Sequence, residues 1–398
     1  RTEPEIKQNI LKDTPQPMII VFATAIAVAA MPPPPPGGVA HMYYSGAVVP
    51  KKMLDCKGCE AAVNLAQKLP VHKLEPFIIT VAIPVCIAIN GTGQCDPTTV
   101  EGAWACKDLC QGMMLSEAPV LIDLFTNEGY TANEKCTAFG LCKPKPSPIP
   151  YVPRAVSSDL SNLKGEPSWE NWPENGGKPS GYFVHFTDFH LQRDYQIGAE
   201  TQCGQPICCR SESGKGRPGY QAGAFGDHRC DASPLLLRSM VSAIKNLSVN
   251  PDFVINTGDD PAHDVWSQTP ELNLKSVKQV ADTLLEFGFA SRPYSQCFGN
   301  HESEPVNQYK GPYGDQWLYN GAAAVWSPWL AEDAEKTLKF GGFYQTRLAP
   351  KLRALNLHTT LFSQQDWYFQ ANRTDLASQM DWARDVLYQA RARGEKVY

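Results

Sequence analysis

Three short clusters of oxygen and nitrogen donors stand out in this chain of 398 residues. Asp188 and His190 lie two residues apart, Asp259 follows Gly258, and Asn300 and His301 belong to Gly299-Asn300-His301-Glu302. Each cluster follows an apolar, β-rich run, at 182–187, 252–257 and 295–298. A strand that ends in such residues sets them on a loop at the carboxyl edge of a sheet, where donors from several strands converge. The residue types suit a two-metal centre. Asp188 and His190 can grip one ion, Asp259 can bridge two through its two oxygens, and Asn300 offers an amide oxygen to the second. Two ions about 3.5–4 Å apart can activate a water and hold the phosphate oxygens of an in-line displacement. His301, beside Asn300, can face the substrate and protonate the leaving oxygen. A lone Asp-x-His is weak and a lone Gly-Asp is usually a turn. Gly-Asn-His-Glu is rarer, and all three in order, each after a strand, point to metal-assisted phosphoester chemistry.

The rest of the chain must position these loops. Its length is enough for two or three domains at roughly 100–200 residues each. Hydrophobic residues make up 43%, so a sizeable core can be buried. Charged residues are only 19% and the net charge is −5, which argues against a nucleic-acid partner, since that normally needs a basic patch. Residues 1–50 lie outside the fold argument. They begin at Arg1, as in a processed chain or a fragment. They hold the apolar run 18–31, readable as a signal-type segment or a disordered extension, and then five prolines at 32–36. The 13 cysteines imply an oxidising compartment and a disulfide framework with one thiol left over.

Eight of these cysteines (Cys56, Cys59, Cys86, Cys95, Cys106, Cys110, Cys136 and Cys142) fall in residues 51–143. Cys56, Cys59, Val63 and Ala66 recur at helical spacing, as do Leu121, Leu124 and Phe125. No histidine accompanies the cysteines at zinc-finger spacing, so a disulfide-stapled helical bundle is the better reading. The segment resembles a saposin-B domain in its opening Cys-x-x-Cys helix, the lone Cys86 and the closing Cys136-to-Cys142 stretch. The resemblance implies that Cys56 pairs with Cys142, Cys59 with Cys136, and Cys86 with Cys106 or Cys110. It also implies lipid binding through apolar faces; the alternative is a purely structural bundle. Pro84 should end the second helix early. A proline-rich linker, 144–180, separates this module from residues 181–398.

In order and wording, the three donor clusters resemble the calcineurin-like phosphoesterase superfamily. The intervening segments resemble acid sphingomyelinases more closely. These are Gly258 to Trp266 with its Pro-Ala-His-Asp, Cys203-x4-Cys208-Cys209-Arg210, Glu302-Ser-Glu-Pro-Val-Asn307, and Ala324 to Leu330. The implied fold class is multi-domain α+β. A small all-α saposin-like domain is followed by an α/β metallophosphoesterase β-sandwich flanked by helices, incomplete at its C-terminal end. Two zinc ions are implied, with Asp188 and His190 on the first, Asp259 bridging and Asn300 on the second. His301 would be the general acid and His263 would stabilise the phosphate. Cys203 would pair with Cys208, and Cys209 with Cys230. Cys297 is left over, either as a buried free thiol or with a partner beyond Tyr398. Asp260, where the family carries an apolar residue, is expected to point to solvent rather than to disturb the local electrostatics. Sequons at Asn90, Asn246 and Asn372 fit a secreted or lysosomal glycoprotein.

The resemblance implies hydrolysis of sphingomyelin, in membranes or lipid particles, to ceramide and phosphocholine by a monomer. The competing readings are the same chemistry on soluble nucleotides or other phospholipids, and a non-catalytic lipid-binding fragment. The family also uses three later histidines, in Gly-His-x-Pro-Pro and Gly-His-Thr-His segments, and this sequence shows neither. His228 and His358 stand in the wrong contexts to replace them. The expectation is that the 398-residue chain holds its metals weakly and turns over slowly, if at all.

Overall fold

A computed structural model describes residues 56–67, 100–127, 129–138, 141–143, 181–205, 207–246 and 251–398. The chain divides into two compact units, Arg1–Lys143 and Pro144–Tyr398. The readings made for residues 1–50, Pro84, Cys86, Cys95, Asn90 and the linker lie outside the described residues, as do the side chains of Cys106 and Cys110.

In the first unit, α1 (Cys56–Ala66), α2 (Val100–Thr126) and α3 (Ala132–Ala138) are helical. Of the apolar positions read from the sequence, Cys59, Val63, Leu121, Leu124 and Phe125 are buried and Cys56 is half-buried, while the side chain of Ala66 lies outside the described residues. Thr131 and Glu134 form a capping box that starts α3: the Thr131 amide donates to Glu134 Oε2 at 2.8 Å and the Glu134 amide to Thr131 Oγ1 at 3.3 Å. Disulfides join Cys56 to Cys142 and Cys59 to Cys136, tying α1 to α3 and the segment after it. Because Cys56 and Cys142 are oxidised, their cluster with Glu60 offers no thiolate to a metal. Lys135 is fully buried, and its ammonium donates to Phe125 O at 2.8 Å, where the last carbonyls of α2 carry negative partial charge.

The second unit is mixed α and β. Its first sheet is parallel, in the order β1 (Phe183–Phe186), β2 (Phe253–Asn256), β3 (Tyr294–Gln296). Its second contains β4 (Tyr344–Ala349), β5 (Leu352–Asn356) and β6 (Lys396–Val397); β5 runs antiparallel to β4 and parallel to β6. All of β2 is buried, and its side chains alternate between two cores. Phe253 and Ile255 meet Leu348 and Ala354 of the second sheet. Val254 joins a larger core with the helices α4 (Pro234–Lys245), α5 (Pro270–Glu286), α6 (Gln316–Trp326) and α7 (Glu332–Gly341). Both α4 and α5 start at a hydroxyl followed by proline. Ser233 accepts from the Leu236 amide and Thr269 from the Leu272 amide, while Pro234 and Pro270 occupy the first helical turn. The chain continues through the short α8 (Trp367–Ala371) and α9 (Gln379–Ala392). No helix among the described residues is long and apolar enough to cross a membrane.

Three buried ionisable groups give this unit a pH signature. Asp366 caps α8, accepting from the Tyr368 amide, while its Oδ2 has no hydrogen-bond partner among the described residues. Burial pushes its carboxyl up to about 8 and that of Asp315 up to about 7. Burial pushes the His358 imidazole down to about 3. A raised carboxyl contributes stability that is present below about pH 4 and lost as pH rises through its folded value. A lowered imidazole contributes stability that is present above about pH 6.5 and lost on acidification. Acidification from pH 8 to 6.5 should therefore stabilise the unit, by up to about 1.4 kcal/mol per pH unit for each titrating acid. Below that window His358 offsets the gain. Asp366→Asn keeps the cap but should reduce the rise in melting temperature on acidification from pH 8 to 6.5, with Asp315 and Asp260 still titrating there; an unchanged slope would contradict the assignment.

Candidate metal centre

The three parallel strands all end at one place. Asp188 and His190 follow β1, Asp259 follows β2, and Asn300 and His301 follow β3. The β1 loop is laid along the β2 loop by main-chain bonds: the Asp188 amide donates to Gly258 O, His190 to Asp259 O and Leu191 to Asp260 O, at 2.7–2.9 Å. Asp188, His190 and Asp259 all have left-handed backbones, with φ of 55°, 41° and 61°. Such conformations are rare for residues with side chains and persist where the surroundings enforce them, often at functional sites. Two glycines let the β2 and β3 loops touch. A Cβ at Gly258 (φ 94°) would lie 2.3 Å from the Gly299 nitrogen, and a Cβ at Gly299 would lie 2.1 Å from Asp259 Oδ1.

Glu302 holds these loops together. Its carboxylate is fully buried and accepts the amides of Asp259 (3.1 Å), Asp260 (2.8 Å) and Gly299 (2.7 Å). From the other side, Asn273 of α5 donates to the carbonyls of His301, Glu302 and Ser303. Asp259 Oδ1 accepts the His301 amide at 2.8 Å. Asp260 does not point to solvent, contrary to expectation. It is fully buried, with Oδ1 accepting from Asn256 at 3.0 Å and Oδ2 from Gln296 at 2.8 Å. The left-handed turn at Asp259 and the Glu302 bond to the Asp260 amide direct it inward. Burial raises its carboxyl to about 7. Burial and the neighbouring acids push Glu302 well above the usual carboxylate range.

Three imidazoles crowd the centre. Ring centroids are 3.7 Å apart for His190 and His263, and 4.7 Å for His301 with each of them. Each Nδ1 faces an oxygen: Pro261 O for His190 (3.0 Å), Asp231 Oδ1 for His263 (2.8 Å) and Ala262 O for His301 (3.3 Å). Asp231 also accepts the His263 amide, at 2.6 Å. This hydrogen-bonded carboxylate raises the His263 pKa. Burial and the nearby imidazoles lower His190, and they lower His301 to about 3. Beside these groups opens a cleft of about 480 Å³, bordered by Asp188, His190 and Asp231 and, on its apolar side, by Phe225 and Leu236. Phe225 is 61% exposed and Leu236 41%.

Donor atoms of Asp188, His190 and Asp259 lie within 4.8 Å of one another. His190 Nε2 faces Asp188 Oδ1 at 3.7 Å, while its Nδ1 donates to a carbonyl, the outer-shell arrangement common to metal-binding histidines. The donor set therefore fits a divalent metal ion. The main chain of Asn300 lies between the two amides that Asp259 and Glu302 bind, in the same loop.

Of the residues outside this site, His358 is fully buried among Phe298, Tyr309 and Tyr319, and His228 is exposed at the cleft. Disulfides join Cys203 to Cys208, and Cys209 to Cys230 immediately before Asp231. Among the described residues Cys297 is a free thiol that donates to Asn356 Oδ1, and burial raises it to about 11, which favours its protonated form. Asn246 is exposed at the end of α4, and Asn372 is half-buried at the end of α8. Asp231 and Asn273 have no motif around them, and sequence reading passed over both. Glu302 was read only as part of its motif.

Glu302→Gln replaces an acceptor oxygen by an NH2 group facing backbone donors. It should weaken binding of a divalent ion by about 10–100-fold and lower stability by about 1–3 kcal/mol. Calorimetric zinc titration and urea melts would test this, and wild-type values in both would contradict the holding role.

No family model matches the chain. Sphingomyelin phosphodiesterase B of Dictyostelium discoideum is 30% identical over 348 residues, 86% of this chain and 51% of that protein. The sphingomyelin phosphodiesterase of Homo sapiens is 38% identical over 226 residues, 54% of this chain and 35% of that protein. A cyclic GMP-AMP phosphodiesterase of Bos taurus is 35% identical over 234 residues, 57% of this chain and 49% of that protein. The chain thus spans about half the length, or less, of the curated relatives it matches. Over most of its own length, this chain is a sequence relative of the sphingomyelin phosphodiesterases.

Proposed function

We propose that the second unit is a metallophosphoesterase that cleaves the phosphodiester of sphingomyelin, releasing ceramide and phosphocholine. The observation that carries this reading is the convergence of Asp188, His190, Asp259 and the Asn300–His301 loop at the ends of three parallel strands. Asp188 and His190 would hold one zinc, Asp259 would be shared, and Asn300 would serve the second. When bound, such ions polarise phosphate oxygens and make a water nucleophilic near neutral pH. His263, backed by Asp231, is the imidazole placed to carry positive charge, and it would stabilise the phosphate oxygens. His301 would give a proton to the ceramide oxygen. Burial disfavours its charged form, and a bound phosphodiester anion works in the opposite direction. Phe225 and Leu236 give the cleft an apolar side suited to an amphiphilic substrate.

The first unit is, in this reading, a saposin-like module that loosens lipid from a bilayer and presents it. The whole acts as a secreted or lysosomal glycoprotein monomer with sugars on Asn90, Asn246 and Asn372. The likeness to a cyclic GMP-AMP phosphodiesterase supports a second reading, hydrolysis of a soluble nucleotide.

In this reading turnover depends on bound divalent ions, so a chain stripped of metal should need added zinc for turnover. With zinc supplied, hydrolysis of micellar sphingomyelin should exceed that of a soluble cyclic dinucleotide. A chelator should abolish it, and Asp259→Asn should lower kcat by at least about 100-fold. The reverse substrate preference would favour the nucleotide reading. Full turnover in chelator would remove the metal from the mechanism.

A further inference from the structure

A buried ion pair adjoins His263 in the chain. Arg210 and Asp264 are both buried, and an Arg210 NH group (Nη1) meets Asp264 Oδ2 at 3.1 Å. Asp264 directly follows His263. Its carboxylate also accepts from Ser267 Oγ at 2.5 Å and from the side-chain amide of Gln268, in the turn that leads into α5. Arg210 is itself tied to the β1 loop. Gln192 Nε2 donates to Cys208 O and the Gln196 amide to Cys209 O, both at 2.7 Å. Arg210 Nε faces Asp194 Oδ2, in the same loop, at 3.7 Å. The Cys209–Cys230 disulfide then joins the residue before Arg210 to the residue before Asp231. Two linked anchors thus hold two consecutive residues of the β2 loop. Asp231 takes His263 by amide and ring, and Arg210 takes Asp264. A guanidinium suits this place, because its rigid fork presents different nitrogens to Asp264 and Asp194 at once.

We propose that Arg210 is a positioning residue for His263, acting through Asp264. Asp231 orients the imidazole, and Arg210 sets where the loop that carries it lies relative to the β1 loop. The tolerance is small: the His263 ring centroid is 3.7 Å from that of His190 and 4.7 Å from that of His301. A phosphodiester stabilised by His263 must lie within hydrogen-bond reach of its ring, and a misplacement of about 1 Å can cost about 100-fold in rate. What the placed ring then does rests on the phosphodiesterase reading above. Its placement by Arg210 does not, and can be measured without turnover.

The experiment uses the full chain and a charge-neutral double change, Arg210→Gln with Asp264→Asn, which leaves neither partner of the buried pair charged. Hydrogen exchange of the His263 amide, which donates to Asp231, reads the placement directly. It should quicken by at least about 10-fold, while amides in the middle of α5 keep their protection. Unchanged exchange at His263 would overturn the proposal, and so would an equal loss throughout α5, which marks a general loss of stability. With zinc supplied and micellar sphingomyelin as substrate, the double change should lower kcat by about 10–100-fold and leave KM within about 2-fold. In a His263→Gln background it should cost less than about 2-fold, because its effect runs through that ring. A full additional loss there would overturn the route through His263. Should the double change misfold by circular dichroism, Arg210→Lys keeps the charge without the fork and should shift the same readouts by less. Absence of turnover in the unaltered, zinc-loaded chain would end the phosphodiesterase reading, while exchange at His263 would still decide the role of Arg210.

Discussion

The buried carboxylate of Glu302 is the interaction on which the site depends. Three backbone amides from two different loops point at it. None of these amides can be satisfied within a strand, because each belongs to the chain just after β2 or β3 has ended. Buried N–H groups without acceptors cost about 1–3 kcal/mol each, so a single side chain that takes all three makes the junction possible. The geometry of the candidate donor groups follows from it. Asp259 and Gly299 are brought close enough for the Asp259 carboxylate to accept the His301 amide. Only glycine at 258 and 299 leaves room for that approach.

Around this junction the molecule spends its polar side chains on orientation. Asn273 reaches from α5 to three carbonyls of the β3 loop, so the helix that covers the sheet also sets the height of His301. Asp231 holds His263 by both its amide and its ring. Asp231 is itself fixed by the Cys209–Cys230 disulfide on one side and the capped start of α4 on the other. A loop carrying so little regular structure would otherwise have to be ordered at a backbone entropy cost of about 1–2 kcal/mol per residue. The crosslink lowers that cost by restricting the unfolded chain.

How far the sequence reveals this depends on whether a local rule or a distant partner sets each residue's place. The ends of β1, β2 and β3 were legible because a parallel strand delivers the residues after it to one edge, whatever the rest of the fold does. The starts of α4 and α5 were not read from the sequence, although a hydroxyl and a proline side by side set them locally. The four described disulfides came from likeness to a family, since spacing alone leaves many pairings open. Asp231 was not legible: its partner His263 lies across the fold, and nothing in a Cys-Asp-Ala stretch signals a bond to an imidazole. Asp260 was misread for a sharper reason. Strand alternation gives the facing of side chains only while the backbone stays extended, and the left-handed turn at Asp259 breaks that pattern.

The burial of Asp260 also changes what the acids mean. With Asp259 and Glu302 it makes three carboxyl groups around one turn, each held above the ordinary range by burial. Uncharged partners already satisfy much of their hydrogen-bonding capacity: Asn256, Gln296 and the amides. No Lys or Arg is among the groups that shift them. A buried ion pair would have neutralised the charge and made the site indifferent to cations. Neutral donors leave burial to dominate, so the uncharged forms of these acids are favoured and a divalent ion at Asp259 would gain attraction from them only as their protons leave.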